Sequence, residues 1–441
     1  MFHGLTILFL AFTGWLLLLY VLEKRGLLER LGLTLMGPFL MLKTTKGRAF
    51  IERLSQWRAW SLVGKAFILL VAVTMVGITL LLLWTATLVQ NIPAERAPSP
   101  QTLLGLPGVN PFIPLTYGIF ALAIAIVVHE FSHGILARRW RVTIKSLGLL
   151  LFIVPIGAFV EPEEEELKAL DRRKRGTVYA AGPGSNVVLA VIMALLFSFG
   201  MMASVQAKAV GMGITVVVEG SPAEVAGLSE GMIITYVDGK RIVDRSDFSA
   251  ALAEAEAGDS VTISVYASGE MKDVSIVLAD RYDFTGLEED RGRGYVGVST
   301  VSTNPDIFNP QESRKRLGMG NALFVYLLLP FQGLSPVQPP LTDFYEVTGA
   351  WGLLPPQIFW IIANAIYWLF WINLMLGMTN ALPAVPLDGG YLFRDWLEAA
   401  ITKIKANMRA DDREKVARNI SYLIALMILA LILWQMIGPR I

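Results

Sequence analysis

The sequence predicts a polytopic α-helical membrane protein with about six transmembrane helices, shorter re-entrant segments and one inserted β-rich soluble domain. Three observations predict it. Hydrophobic residues make up 54% of the 441 and charged residues only 17%, a balance foreign to ordinary soluble domains. Six long apolar stretches match the roughly 20 residues needed to cross bilayer hydrocarbon. Between the fourth and fifth, the segment 208–315 returns to a polar composition with Gly-rich turns and alternating runs such as Val261-Thr-Ile-Ser-Val-Tyr266, which is strand-like.

In chain order the expected spans are 5–22, 66–89, 114–137, 178–203, 357–378 and 419–437. The first has no basic residue before it and no small-residue cleavage site after it, so it reads as a retained anchor. Apolar runs at 31–42, 147–160 and 317–334 are shorter and broken by Gly or Pro, which predicts interfacial or re-entrant pieces.

Basic loops fix the orientation, because short Lys/Arg-rich loops stay cytoplasmic. Lys24, Arg25, Arg30, Lys43, Lys46, Arg48, Arg53 and Arg58 put the first loop inside. The segment 91–110 carries only Glu95 and Arg96 and belongs outside, and Arg138, Arg139 and Arg141 bring the chain back in. Arg172–Arg175 hold it inside until the fourth span, so the soluble insert faces outward; Arg394, Lys403, Lys405, Arg409 and Arg413 mark a last inner loop. The acidic run Glu163–Glu166 beside Arg172–Arg175 reads as a solvated cytoplasmic face.

A net charge of +1 offers nothing for nucleic acid, and the lack of cysteine excludes disulfides, cysteine-rich zinc sites and a thiol nucleophile. Any catalytic metal therefore takes nitrogen and oxygen ligands. His129-Glu130-Phe131-Ser132-His133 supplies two of them, and these two are drawn from only three histidines in the chain. The pentapeptide falls late in the third span, roughly 12 Å from its inner end at about 1.5 Å per residue. Residues four apart share a helix face, so both imidazoles can address one ion while Glu130 serves as general base to a water. Polar groups bonding across packed helices would be the bland alternative. Three ionisable groups in five residues at hydrocarbon depth, however, are costly without a metal or a water cavity.

Three protein ligands are the rule for catalytic zinc, and His3 lies at the wrong end of the first span, so a carboxylate must complete the set. Asp388 in Asn380-Ala-Leu-Pro-Ala-Val-Pro-Leu-Asp388-Gly-Gly390 is the candidate, since the span before it also runs inward and ends at a similar depth. Taken alone, Asp-Gly-Gly reads first as an inner-surface turn.

These motifs together resemble the site-2 protease family of intramembrane zinc metalloproteases. The pentapeptide 129–133 looks like the family's first zinc motif (HExxH), and Asn380–Gly390 its second, with Asp388 as third ligand to one Zn2+. Gly182-Pro183-Gly184-Ser185-Asn186 is similar to the family's Gly-Pro-x-x-Asn, and Ile153–Val160 to its membrane-dipping hairpin. The resemblance covers 114–200 and 357–396. It implies Glu130 and Asn380 as catalytic, with Asn380 contacting substrate backbone or oxyanion. It further implies Pro155, Ile156, Gly157, Ala158 and Asn186 as substrate-binding, the hairpin adding an unwound substrate as a strand. The implied substrates are single-span, membrane-anchored regulators of regulated proteolysis, usually trimmed first by an upstream site-1-type protease. Because a transmembrane helix bonds all its amides internally, such substrates must unwind before attack, which favours Gly, Pro or Asn in the span and predicts slow turnover.

The insert resembles a PDZ domain through Ser221–Gly231, Ile233–Gly239 and the strand 261–266, although Met232 stands where such domains usually have Asp. Five domains result: 1–110, an N-terminal membrane region with a basic loop; 111–207, the first half of a protease core; 208–315, the PDZ-like domain; 316–396, the second half, with a re-entrant segment; and 397–441, a cytoplasmic loop and final helix. A metal transporter with the same His and Asp residues as a transit site would need neither Glu130 nor an outward domain. An inactive scaffold would need neither intact ligands nor an intact base.

Overall fold

The computed structural model describes residues 2–30, 32–93, 97, 99–152, 154–303, 338–405 and 407–440, in two compact units, 1–192 with 368–441 and 193–367. Among the described residues five helices are long and apolar enough to cross a membrane: Trp60–Leu88, Leu115–Arg139, Ala181–Ser204, Pro356–Ala381 and Ala410–Arg440. They correspond to five of the six expected spans. The expected span 5–22 forms the 23-residue helix α1, Phe2–Lys24. In hydrocarbon a helix satisfies every backbone donor and acceptor within itself, which is why uninterrupted apolar sequence folds this way. The re-entrant piece expected at 317–334, and the end of the insert at 304–315, lie outside the described residues.

In the first unit, α1 is followed by a hairpin of β1 (Leu33–Met36) and β2 (Phe39–Thr44), then α2 (Arg48–Ser55) and α3 (Trp60–Leu88). Helix α4 (Leu115–Arg139) leads into a second hairpin, β3 (Ile144–Phe152) and β4 (Val154–Pro162). The short apolar runs at 31–42 and 147–160 are thus β-hairpins, and they join into one antiparallel sheet in the order β1-β2-β3-β4, with Leu40 opposite Leu151 and Leu42 opposite Leu149. Gly37-Pro38 make the turn of the first hairpin and Pro155 and Gly157 flank the register shift in the second, and β pairing satisfies the backbone where a helix cannot continue.

Helix α5 (Arg172–Tyr179) begins where the Asp171 carboxylate accepts from the Arg173 and Lys174 amides, and ends just before α6 (Ala181–Leu195), whose Pro183 sits in the first turn, where its missing N–H costs nothing. The last membrane elements are α7 (Pro356–Ala381), α8 (Asp388–Ile404) and α9 (Ala410–Ile437). One core gathers Ile51 from α2, Phe67 and Val71 from α3, Leu136 from α4, Val160 from β4, Val178 from α5, Ala181 from α6 and Leu392 from α8. Leu136 is fully buried there, and truncating such a side chain to alanine costs about 2–5 kcal/mol.

The second unit contains the β-rich region expected of the insert, preceded by the short strand β5 (Val205–Ala207). Its main sheet runs β9 (Glu270–Val277), β8 (Ser260–Ala267), β7 (Ile233–Val237), β6 (Met212–Val217), β10 (Val298–Ser302), with the short strand Lys240–Arg241 on β7. The β8–β9 hairpin turns at Ser268 and Gly269, both with positive φ, the backbone that matches strand twist in two-residue hairpins. Val261, Ile263 and Val265 alternate inward along β8 and meet Met212, Ile214, Ile234 and Ile276 in a separate core. The pattern 261–266 therefore means what its period of two implied.

Candidate metal centre

The two histidines of α4 lie one turn apart with ring centroids 4.9 Å apart and planes inclined by 69°. His133 is held from behind, since its Nδ1–H donates to the Val178 carbonyl at 2.8 Å. A ring anchored through Nδ1 presents the lone pair of Nε2 forward, the tautomer a metal needs. His129 has a side-chain neighbour at the corresponding nitrogen: its Nδ1 is 3.4 Å from Asn186 Nδ2, a group that can only donate.

Both forward nitrogens meet Asp388, whose Oδ2 is 3.0 Å from His129 Nε2 and 3.2 Å from His133 Nε2. After α7 ends at Ala381 the chain makes tight turns, with Ala384 N–H donating to Leu382 and Leu387 N–H to Ala384, and Asp388 becomes the first residue of α8. Gly389 and Gly390 are required by close approach: a Cβ on either would strike the backbone of Ala381–Val385. The Asp-Gly-Gly sequence is thus more than a surface turn, because it places a carboxylate at the mouth of a helix packed against the imidazoles.

The α8 helix is fixed to α5 by a bidentate ion pair, Arg175 Nε to Asp395 Oδ2 at 2.8 Å and Nη2 to Oδ1 at 3.0 Å, with both side chains buried or nearly so. Arg172 pairs with Glu398 at 2.7 Å, and Tyr179 stacks on Tyr391 at 5.5 Å. Burial of the Tyr179 phenol, with the Asp395 carboxylate nearby, pushes its pKa up to about 12. Since α5 carries Val178 and α8 carries Asp388, the clamp ties the anchor of one histidine to the third donor.

These donors fit a zinc ion. One atom each from His129, His133 and Asp388 lie within 4.8 Å of one another, the group of this kind found among the described residues. A tetrahedral ion with bonds of about 2.0–2.2 Å spaces its ligand atoms about 3.3 Å apart, close to the two nitrogen–oxygen separations here. Gly182, at the start of α6, supports the fit independently: a Cβ there would lie closer than 3.0 Å to the Nε2 atoms of both histidines. Space is kept clear where the two lone pairs converge.

Glu130 stands beside this trio rather than in it. Its Oε2 accepts the Val160 N–H of β4 at 3.0 Å, joining the middle of the HExxH helix to the last strand of the sheet. In that strand Pro155, Gly157 and Ala158 stand opposite Leu151, Leu150 and Leu149, and Ile156 occupies the irregularity between them. Asn380 is half-buried and donates to Leu376 of its own helix at 3.0 Å. His129, His133, Asp388 and Asn186 are therefore brought together; Asn380 faces its own helix, and the hairpin residues meet the site through Val160 and Glu130. Sequence reasoning missed Gly182, Val178, Val160 and the Arg175–Asp395 clamp. Gly182 and Val160 lay within noted motifs, but a glycine announces no chemistry and Val160 acts through its amide.

Comparison with known proteins finds a family and several relatives. Residues 117–428 match the family model described as peptidase family M50. The chain is 26% identical over 442 residues to an uncharacterized protein of Methanocaldococcus jannaschii, covering 98% of each. It is 23% identical over 281 residues to the zinc metalloprotease RasP of Shouchella clausii, covering 64% of this chain and 63% of that one. A putative zinc metalloprotease of Clostridium acetobutylicum is 24% identical over 317 residues, 64% of this chain and 86% of its own.

Proposed function

Because the chain belongs to peptidase family M50, the site-2 protease family, we propose that it cuts single-span, membrane-anchored regulatory proteins within their transmembrane segments, after an upstream protease has shortened them. Membership makes it a zinc-dependent metalloendopeptidase and, with its apolar helices, an integral membrane protein. The observation that carries the proposal is the meeting of His129 and Asp388, 259 residues apart in sequence, at 3.0 Å.

In this reading His129, His133 and Asp388 hold one zinc ion. When bound, zinc supplies Lewis acidity, lowering the pKa of a water to about 7 and polarising the scissile carbonyl. Glu130 takes a proton from the attacking water at its carboxylate and returns it to the leaving amine, a contribution of about 10²–10⁴-fold. Its bond to Val160 N–H sets where that carboxylate sits relative to β4. An unwound substrate strand lies along Pro155–Ala158, accepting and donating ladder hydrogen bonds, while Asn380 turns from Leu376 to the substrate backbone or oxyanion. Helix α1 counts as a sixth span, the active site lies toward the cytoplasm, and the β-rich unit is an extracytoplasmic PDZ-like domain, as the basic loops imply.

The test uses purified protein in detergent with a single-span substrate. Cleavage should stop on chelation and in Glu130→Gln, with zinc still bound to the variant. Cleavage by Glu130→Gln at the wild-type rate would remove the general base from the mechanism. Zinc movement in vesicles regardless of that substitution would favour a transporter.

A further inference from the structure

Asn186 is fully buried, at 0% exposure, four residues after Gly182 and hence on the same face of α6. Its Nδ2 lies 3.4 Å from His129 Nδ1, and its Oδ1 has no hydrogen-bond partner. Amide oxygen and nitrogen are interchangeable by a half-turn of the terminal torsion, and their assignment follows from the partners available. With His129 Nε2–H donating to Asp388, Nδ1 is an acceptor and Nδ2 is the group it needs. When Nε2 instead gives its lone pair to a cation, the ring's proton moves to Nδ1, and the same half-turn brings the unpartnered Oδ1 to receive it.

We infer that Asn186 is a positioning residue whose amide holds Nδ1 of His129 and so fixes the ring rotation and tautomer that present Nε2 to the metal. The inference rests on the zinc reading of the site and departs from the substrate contact that its motif implied. Full burial behind the imidazole speaks for this role, since a group that touches no solvent meets no substrate. The counterpart at His133 speaks for it too. There a backbone carbonyl, Val178, receives Nδ1–H. The His129 ring faces α6, whose backbone carbonyls are committed to the helix, so a side-chain amide supplies the acceptor that the backbone cannot. Gly182 and Asn186 thereby divide the work of one helix face: the first leaves room in front of the nitrogens, the second holds a ring from behind.

The experiment measures zinc affinity of the intact protein in detergent by competition with a chelator, for the wild type, Asn186→Leu and Asn186→Asp, together with kcat and KM at saturating zinc and the absorption spectrum of the cobalt-substituted forms. Leucine keeps the same branched heavy-atom skeleton, somewhat larger, and has no acceptor, whereas aspartate accepts from Nδ1–H. Expected are an affinity loss of about 10–100-fold with an altered cobalt spectrum in Asn186→Leu, and retention within a few-fold in Asn186→Asp. KM should be unchanged in both. Unchanged zinc affinity in Asn186→Leu with a raised KM would overturn the proposal in favour of a substrate contact. Equal losses in both variants, with equally lowered thermal midpoints, would overturn it in favour of packing. A wild-type protein that binds no zinc would overturn the reading beneath it as well, which separates the two failures.

Discussion

Substituting Gly182 by alanine should empty the metal centre while leaving the fold standing. The new Cβ would lie under 3.0 Å from both Nε2 atoms, whereas ordinary contact begins near 3.4 Å, so each ring must retreat by at least 0.4 Å (3.4 minus 3.0). That is twice the roughly 0.2 Å over which metal–ligand distances are tolerated. Apparent zinc binding worth about 10–16 kcal/mol over four ligands is about 2.5–4 kcal/mol for each, so losing even one imidazole weakens binding by about two to three orders of magnitude. The assay is zinc content and chelator competition on purified protein, with gel filtration and a thermal midpoint compared against chelated wild type as the folding control. A Gly182→Ala protein that holds one zinc per chain with wild-type affinity would refute the claim that the two lone pairs converge on this space.

Four further outcomes follow from the same geometry. Asp395→Asn strands a buried guanidinium and should cost about 3–5 kcal/mol, read as a lowered thermal midpoint, and the paired change Arg175→Met with Asp395→Leu should recover much of it. Tyr179 should stay neutral as unfolded tyrosines ionise near pH 10, so stability falls as pH rises from 10 toward 12, and Tyr179→Phe should flatten that fall in alkaline melting curves. Chelation should lower the thermal midpoint of wild type and have little effect on Asp388→Ala, because only a form that binds the ion gains stability from it. Val160→Pro removes the amide that Glu130 accepts and should depress kcat with zinc affinity unchanged; equal zinc loss would mean that the strand, not the carboxylate, had been disturbed.

Much of the centre was legible because it obeys local rules. His129, Glu130 and His133 follow from helical spacing alone, and Asp388 from a carboxylate requirement joined to the matching depths of two inward-running helices. Other parts were hidden for a physical reason: they depend on backbone groups or on emptiness. Val178 and Val160 act through a carbonyl and an amide that every residue owns, and Gly182 acts by lacking a Cβ. The pairing of β2 with β3 joins segments about a hundred residues apart, and no local period records a partner. The runs at 31–42 and 147–160 therefore read as separate interfacial or re-entrant pieces, although the register joins them in one sheet. The insert was the easier case, because inward alternation along β8 is a property of one strand.

The sheet built from those two hairpins is lopsided. Its outermost strands are β1, with four residues, and β4, with nine. A visiting extended chain gains roughly in proportion to the ladder it can zip, and short edges are a common way to discourage it. Under the proposed strand-addition mode the N-terminal hairpin would give access a handedness: it fills the flank away from Glu130 and leaves the longer edge, beside the carboxylate, for an arriving polypeptide.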